Sequence, residues 1–162
     1  MHFSVDTFRI PDESYPYKGG DGAAQDQAGP VGAGERRDHC IEQRVDLAFE
    51  TVLSSPDKVD FVLRAIERGF FVRLFYVCTA SPTINAARIA QRVLEGGHEV
   101  PIGKIISRYD KSIINCAQLA RVVDRLYVYD NSVELAQARL MFRARRGELA
   151  KVYAGAGPVE RW

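Results

Sequence analysis

Basic residues at helical spacing flank a short loop in the middle of the chain: Arg88, Arg92, Lys104 and Arg108. Within each pair the residues stand four positions apart, so they lie on one face of a helix. The loop between the pairs, residues 96–101, contains His98, which can hydrogen-bond a phosphate or simply hold the loop in shape. Guanidinium groups bind phosphate oxygens bidentately and stabilise a phosphoryl group during transfer. The pattern predicts a binding site whose opening is lined by cations and which takes a phosphorylated ligand. The alternative is that these residues form ion pairs on solvated helix faces, such as Arg92 with Glu95.

Polar residues also follow the carboxyl ends of the predicted strands: Asp6, Glu50 with Thr51, Thr79, and Asp130 with Asn131 and Ser132. In an open parallel sheet, ligands bind outside this edge. Asp6 is a carboxylate that can take a proton from a nearby hydroxyl, or else a solvated turn residue. Glu50 either faces the ligand-binding edge of the sheet or is a glutamate on the surface. Asn131 and Ser132 are typical caps of a following helix.

These side chains must be positioned by alternating strands and helices. Runs of β-prone residues predict strands, and serine-proline starts with glycine stops predict helices. The predicted strands cover residues 2–5 (ending at Asp6), 45–49, 71–78 and 125–129. The predicted helices cover residues 35–43, 56–68, 82–94, 104–122 and 132–146. This order favours an α/β fold with a parallel sheet and flanking helices.

The composition is that of one globular domain spanning residues 1–162, with 46% hydrophobic and 27% charged residues. The net charge of +1 argues against a general nucleic-acid binder, although a local basic patch stays possible. No apolar run approaches the ~18 residues that span a bilayer, and the first 30 residues lack a signal-peptide pattern, so we expect no membrane partner and a cytoplasmic location. Three cysteines without a CxxC pair and three scattered histidines predict no metal site.

Four arginines gather near the end of the last predicted helix: Arg139, Arg143, Arg145 and Arg146. The helix macrodipole favours cations at that end, which is a sufficient explanation for them. Nucleic-acid binding through these arginines is the alternative with the least support, because the charge of the whole chain is nearly balanced.

Three motifs in this order and spacing resemble the zeta-toxin family of P-loop kinases: FETVLS (49–54), RVLEGGHEVP (92–101) and KIISRY (104–109). The resemblance covers residues 45–132 and is expected to reach back to the strand that ends at Asp6. It implies a kinase that uses ATP and Mg²⁺ to phosphorylate a nucleotide-sugar such as UDP-N-acetylglucosamine, and an antitoxin protein as a possible partner. It further implies Asp6 as general base and Arg108 as catalytic arginine. Acceptor-binding residues would be Glu50, Thr51, Arg88, Arg92 and His98, with Lys104 on the nucleotide.

The sequence departs from this family at the phosphate-binding loop. No G-x-x-x-x-G-K-[ST] motif occurs in the chain, and a P-loop kinase needs one to hold the ATP phosphates and Mg²⁺. The glycine-rich segment 19–34, expected to be a flexible loop, ends in a similar string, but Glu35 stands where the lysine belongs. We therefore expect an N-terminally truncated kinase domain, inactive as this chain. Its sheet would lack the central strand, leaving the neighbouring strands unpaired. The alternative is a non-catalytic, kinase-derived domain that binds a nucleotide-sugar or a partner protein.

Overall fold

The structure is a computed structural model that describes residues 4–9 and 30–153. The strands are β1 (Ser4–Arg9), β2 (Leu47–Glu50), β3 (Phe71–Cys78), β4 (Arg125–Asp130), β5 (Arg139–Arg145) and β6 (Glu148–Val152). The helices are α1 (Pro30–Glu42), α2 (Pro56–Glu67), α3 (Pro82–Leu94) and α4 (Ile102–Ala120). The predicted α/β class with flanking helices is confirmed, and the predicted boundaries of β3 and α3 match the structure.

The strands form one six-stranded sheet in the order β2-β1-β3-β4-β5-β6. Strands β3 and β4 pair in parallel, with α3 and α4 forming the crossover between them. The other four pairings are antiparallel, so the sheet is mixed rather than wholly parallel. Because β1 pairs with both β2 and β3, the expectation of unpaired strands in the middle of the sheet is wrong.

One face of the sheet packs against helices and carries the core. Along β3 the side chains of Val72, Leu74, Tyr76 and Cys78 are buried, while the alternate residues are partly exposed. Helix α2 begins at Pro56, whose fixed φ suits a first helical position, and it buries Val59, Phe61, Val62 and Ala65 toward this face. The core therefore lies between β3 and the helices α2 and α4.

Strand β1 differs from its prediction in both extent and direction. It continues to Arg9 instead of ending at Asp6, and it runs antiparallel to β2 and β3. Its first residue, Ser4, pairs with Glu50, so the amino end of β1 lies at the edge where β2 ends. Asp6 is consequently within a strand and not at the carboxyl edge that the sequence predicted. The sequence pattern indicated a strand here, but long-range pairing decides its direction.

The predicted helix 132–146 is wrong, because β5 and β6 form a hairpin there. Residues 131–138 connect β4 to β5, and Arg146 and Gly147 form the two-residue turn with φ values of 46° and 83°. Positive φ at both turn positions suits the right-handed twist of a hairpin. Leucine, alanine, glutamate and arginine are strong helix formers, but pairing with β4 and burial of Phe142 and Ala144 outweigh that preference. The basic side chains of this segment are therefore on a strand and its turn, not at a helix terminus.

Two further segments bear on the sequence predictions. Helix α1 begins at Pro30, so Gly34 and Glu35 are helical and do not form a phosphate-binding loop. The rest of the glycine-rich segment, residues 19–29, lies outside the described residues. In the part of the chain that the structure describes, no helix combines the length and hydrophobicity needed to cross a membrane.

Candidate functional site

A cavity of about 330 Å³ lies where α3, the following loop and the start of α4 meet. Its described lining contains three of the predicted site residues, namely Arg92, His98 and Arg108. The remaining lining residues are Val52, Asn85, Ile89, Gly97, Val100 and Ile105. The structure thus gathers residues from the FETVLS, GGHEVP and KIISRY motifs around a single cavity.

The cationic side chains of the cavity are not neutralised by nearby carboxylates. Among residues 30–153, neither Arg92 nor Arg108 takes part in an ion pair. The predicted alternative, an Arg92–Glu95 pair, does not form, because Glu95 instead accepts a 2.9 Å hydrogen bond from Gln91. Arg108 is half-buried, whereas Arg92 and His98 are exposed. Two guanidinium groups are therefore available to an anionic ligand.

Most of the other residues that line the cavity are apolar. Val52, Ile89 and Val100 are half-buried and Ile105 is buried at 6% exposure. Apolar walls lower the local dielectric, so an ionic contact in the cavity is stronger than the same contact in water. A ligand with an anionic group and a less polar body would match this lining.

The floor of the cavity is fixed by Asn85, which is buried at 3% exposure. Its side-chain nitrogen donates a 3.0 Å hydrogen bond to the Thr79 hydroxyl, and that hydroxyl donates to the Ser81 carbonyl. The hydroxyl of Tyr109 donates a 2.8 Å hydrogen bond to the Thr79 carbonyl. Burial raises the pKa of the Tyr109 phenol, so the group keeps the proton that it donates. The end of β3 thereby joins α3 to α4.

The same polar network continues into the core. Ser112 donates a 2.8 Å hydrogen bond to the Tyr109 carbonyl, and its oxygen lies 3.2 Å from the Tyr76 hydroxyl. Burial raises the pKa of the Tyr76 phenol well above its usual range. In the described residues, no buried side-chain nitrogen or oxygen is left without a hydrogen bond. A fully satisfied network of this kind holds its members in one arrangement.

The FETVLS segment forms a tight turn beside the cavity. The Thr51 hydroxyl accepts a 3.2 Å hydrogen bond from the Leu53 amide, and Leu53 adopts a φ of 55°. The Asn115 side chain on α4 donates a 2.8 Å hydrogen bond to the Leu53 carbonyl. This turn carries Val52 into the cavity wall. Thr51 therefore has a local structural contact, and its predicted contact with an acceptor stays a prediction.

The other predicted site residues are not part of the described lining. Glu50 is exposed and alternates along β2 with the buried Phe49, so it points away from the helical core. Arg88 and Lys104 lie one helical turn from Arg92 and Arg108, on α3 and α4 respectively. Asp6 lies within β1, and its predicted role as general base stays a prediction.

The predicted helix cap at Asn131 and Ser132 has a different role. The Ala80 amide donates a 2.8 Å hydrogen bond to the Ser132 hydroxyl, and the Asn131 amide donates one of 2.8 Å to the Cys78 carbonyl. The Ser132 hydroxyl also donates to a carboxylate oxygen of Asp130. These contacts join the carboxyl ends of β3 and β4. Burial, followed by the nearby Asp130 charge, raises the pKa of the Cys78 thiol to about 11.

Sequence reasoning missed Asn85 and Tyr109 as parts of the site. The signal for Asn85 was a polar residue at a position of α3 that faces the core. Tyr109 belongs to the KIISRY motif, of which only the two basic residues were assigned. The hydrogen bond of Tyr109 could not be inferred from spacing, because Thr79 is 30 residues from Tyr109 in sequence.

Comparison with known proteins places the chain in a family. Residues 28–155 match the profile of the zeta toxin family, which is most of the chain. The chain belongs to the zeta toxin family. The zeta toxin match includes all three motifs, extends through β5 and β6, and begins after β1, so Asp6 lies outside it. Zeta toxin domains are nucleotide-binding kinases with a P-loop-type fold, and the α/β architecture here is compatible with that fold.

One relative of this zeta toxin domain is an uncharacterized protein from Haemophilus influenzae. It is 35% identical over 69 residues, which are 43% of this chain and 49% of the relative. The matched stretch therefore spans about half the length of that protein. No solved structure is significantly similar to the chain.

The residues present do not fit Mg-ATP as a zeta toxin kinase would hold it. The sequence has no P-loop lysine followed by a hydroxyl residue, and within the described ranges no three His, Cys, Asp or Glu residues cluster as a metal site would require. Lys104, predicted to contact the nucleotide, is exposed and outside the described lining.

Proposed function

We propose that this chain provides the acceptor-binding part of a zeta-toxin-type kinase and that its cavity binds a phosphorylated small molecule such as a nucleotide-sugar. The observation that carries this proposal is the convergence of Arg92, Arg108 and His98 on one cavity, without an ion-pair partner for either arginine among residues 30–153. UDP-N-acetylglucosamine is the first ligand to test. An antitoxin partner and a cytoplasmic location belong to the same proposal.

Each cavity residue has a distinct role in this proposal. Arg108 is half-buried next to an apolar wall, so its guanidinium binds a phosphate oxygen pair more strongly than an exposed arginine would. Arg92 and His98 contact the same phosphates from the mouth of the cavity. The apolar side chains of Val52, Ile89 and Val100 pack against the less polar part of the ligand and exclude water. Thr51 and Arg88 are each next in sequence to a lining residue and would contact the rest of the acceptor, whereas Glu50 points away from the helical core.

A second candidate function is binding without catalysis. The observation that favours it is the absence of a P-loop motif from the sequence. Phosphoryl transfer depends on positioning and charge neutralisation by the P-loop amides, its lysine and Mg²⁺, and the cavity arginines replace none of these. In a kinase domain that contains a phosphate-binding loop, that loop holds the ATP phosphates and neutralises their charge. The two candidates share the cavity and differ only in turnover.

Isothermal titration of the 162-residue protein with UDP-N-acetylglucosamine, UDP and N-acetylglucosamine tests the proposed ligand class. We expect the phosphorylated ligands to bind and the uncharged sugar not to bind. Arg108→Gln should weaken binding ~10- to 100-fold, the usual worth of a charged hydrogen bond, whereas Lys111→Gln, an equal charge change on an exposed turn of α4, should not. Equal losses in both variants, or equal affinity for N-acetylglucosamine alone, would contradict the proposal.

A further inference from the structure

The sheet face opposite the helices carries alternating aromatic rings and cations. We define the aromatic face by its rings, Phe71, Phe75, Tyr127, Tyr129 and Tyr153, and by its cations, Arg73, Arg125, Arg143 and Lys151. The β3 and β4 members alternate with buried core residues, so they project to the opposite side of the sheet. All nine side chains are partly or fully accessible to solvent. This face is separate from the cavity at the ends of the strands.

The rings of neighbouring strands are stacked on one another. Phe75 and Tyr127 are partners in the parallel pair β3–β4, and their ring centroids lie 4.7 Å apart at an interplanar angle of 6°. The ring of Tyr129 lies 6.5 Å from Phe75 at 26°. A nucleobase is a planar ring that can extend such a stack, and base–aromatic stacking does not require a particular sequence.

Cations lie over the two other rings of the aromatic face, Phe71 and Tyr153. The guanidinium carbons of Arg73 and Arg125 are 5.4 and 5.7 Å from the Phe71 ring centroid. On the outer strands, Arg143 and Lys151 lie 5.9 and 4.8 Å from the Tyr153 centroid. Cations held beside rings in this way can bind phosphates while the rings bind bases.

Charge selects among the possible partners of this face. Glu148 pairs in register with Arg145 at one end of the hairpin, and Glu50 lies beyond β1 at the other side of the sheet, so the centre is cationic. A second copy of the chain would bring like charges together. An acidic peptide would meet the cations, but its carboxylates could not extend the stack of Phe75 and Tyr127.

We propose that the aromatic face binds single-stranded nucleic acid, with bases stacked on Phe75 and Tyr127 and phosphates held by Arg73, Arg125, Arg143 and Lys151. Recognition of splayed bases by aromatic side chains on a sheet is an established mode for single strands. The net charge of +1 does not oppose this proposal, because the four cations Arg73, Arg125, Arg143 and Lys151 lie together on this face of the sheet. The proposal is independent of the cavity and its ligand.

Fluorescence anisotropy with a labelled oligouridine of about 12 nucleotides, within the range of sizes that sheet-based binders cover, tests the proposal. Phe75→Ala should weaken binding about 5- to 150-fold, the usual worth of one stacked base. Tyr127→Phe keeps the ring and should keep the affinity. Arg143→Gln should lower the slope of log affinity against log salt by about 0.7, the value for one phosphate contact on a single strand. Lys111→Gln, on the helical side, should change neither.

Three outcomes would overturn the proposal. The first is that the oligonucleotide does not bind at low salt, and the second is that a duplex binds more tightly than the single strand. The third is that Phe75→Ala weakens binding of an acidic peptide but not binding of the oligonucleotide. Far-UV circular dichroism of each variant separates a loss of folding from a loss of binding, and Tyr127→Phe and Arg143→Gln remain informative if Phe75→Ala fails to fold. UDP-N-acetylglucosamine should not displace the oligonucleotide, so failure of the cavity proposal leaves this test unaffected.

Discussion

The hydroxyl of Tyr109 donates a 2.8 Å hydrogen bond to the backbone carbonyl of Thr79, and this bond joins α4 to the end of β3. Arg108 directly precedes Tyr109, so the bond also holds the turn of α4 that carries the cavity arginine against the end of β3. The arginine that the motif predicts to act on phosphate is thus positioned by its neighbour in the same motif.

Tyr109→Phe should lower the free energy of unfolding by about 1 kcal/mol, because the Thr79 carbonyl loses its donor. It should also weaken binding of UDP-N-acetylglucosamine, since Arg108 is then held less firmly. Urea titration and calorimetry measure the two effects. Tyr127→Phe is the control, because within the described residues its hydroxyl makes no hydrogen bond. Unchanged ligand affinity in Tyr109→Phe would argue against the positioning role.

Gly97→Ala should weaken ligand binding by displacing the loop that carries His98. A Cβ atom at Gly97 would lie 2.7 Å from the backbone oxygen of Arg92, a contact that forces the loop to move. Gly103→Ala is the matched control, since a Cβ there meets nothing within 4 Å and alanine favours the helix by about 0.5–1 kcal/mol. Calorimetry should show weaker binding for the first variant only, and equal affinities would mean that the loop position does not matter.

Asp124→Ala should destabilise the fold by about 1–3 kcal/mol, the usual cost of an unsatisfied buried group. Asp124 is buried, accepts a 2.9 Å hydrogen bond from the Val72 amide, and pairs with Arg146 at 2.8 Å in the hairpin turn. Asp38→Ala, which removes the exposed pair with Arg64, should cost less than about 1 kcal/mol. Chemical denaturation compares the two, and a similar loss in both would show that Asp124 acts only as a surface charge.

Alkaline pH should destabilise the protein through Cys78. Its pKa is about 11 in the fold against an ordinary value of 9.0, because burial disfavours the thiolate. Between these values the unfolded chain has released a proton that the folded chain keeps, so the free energy of unfolding falls as pH rises from about 9. Cys78→Ala should reduce this fall in urea titrations at pH 8 and about 10. An identical pH dependence in the variant would assign the effect to other groups, of which Cys116 is the first candidate, because burial also raises the pKa of its thiol from 9.0.

The 162-residue chain should show no phosphoryl transfer from ATP to UDP-N-acetylglucosamine. The reason is the missing P-loop, without which the γ-phosphate is neither held nor neutralised. Incubation with labelled ATP, Mg²⁺ and the nucleotide-sugar, followed by separation of the products, provides the measurement. Labelled nucleotide-sugar phosphate would contradict this prediction. It would then be informative to test Asp6→Asn, because a general base contributes about 10²–10⁴-fold to turnover.

The sequence by itself determined the central strand, the helices beside it and the cationic motifs. The β-prone run of β3, the Ser-Pro starts of α2 and α3, and the four-residue spacing of Arg88 with Arg92 and Lys104 with Arg108 are all local signals. Each of them depends on φ, ψ and periodicity over one turn or strand, so no distant contact is needed to read them. The family motifs indicated a role for Arg108 and His98, and these motifs are also short local patterns.

Only the tertiary structure decided the direction of β1, the hairpin in place of the last helix and the floor of the cavity. The direction of β1 depends on pairing with two strands that are distant in sequence. The segment around Phe142 and Ala144 has a helical composition, but its apolar side chains are buried only when it pairs with β4. The bond between Tyr109 and Thr79 spans 30 residues, and Phe75 stacks on Tyr127 across 52 positions of the chain (127 − 75). Such contacts depend on how the elements assemble, because their energy comes from burial and pairing rather than from local conformation.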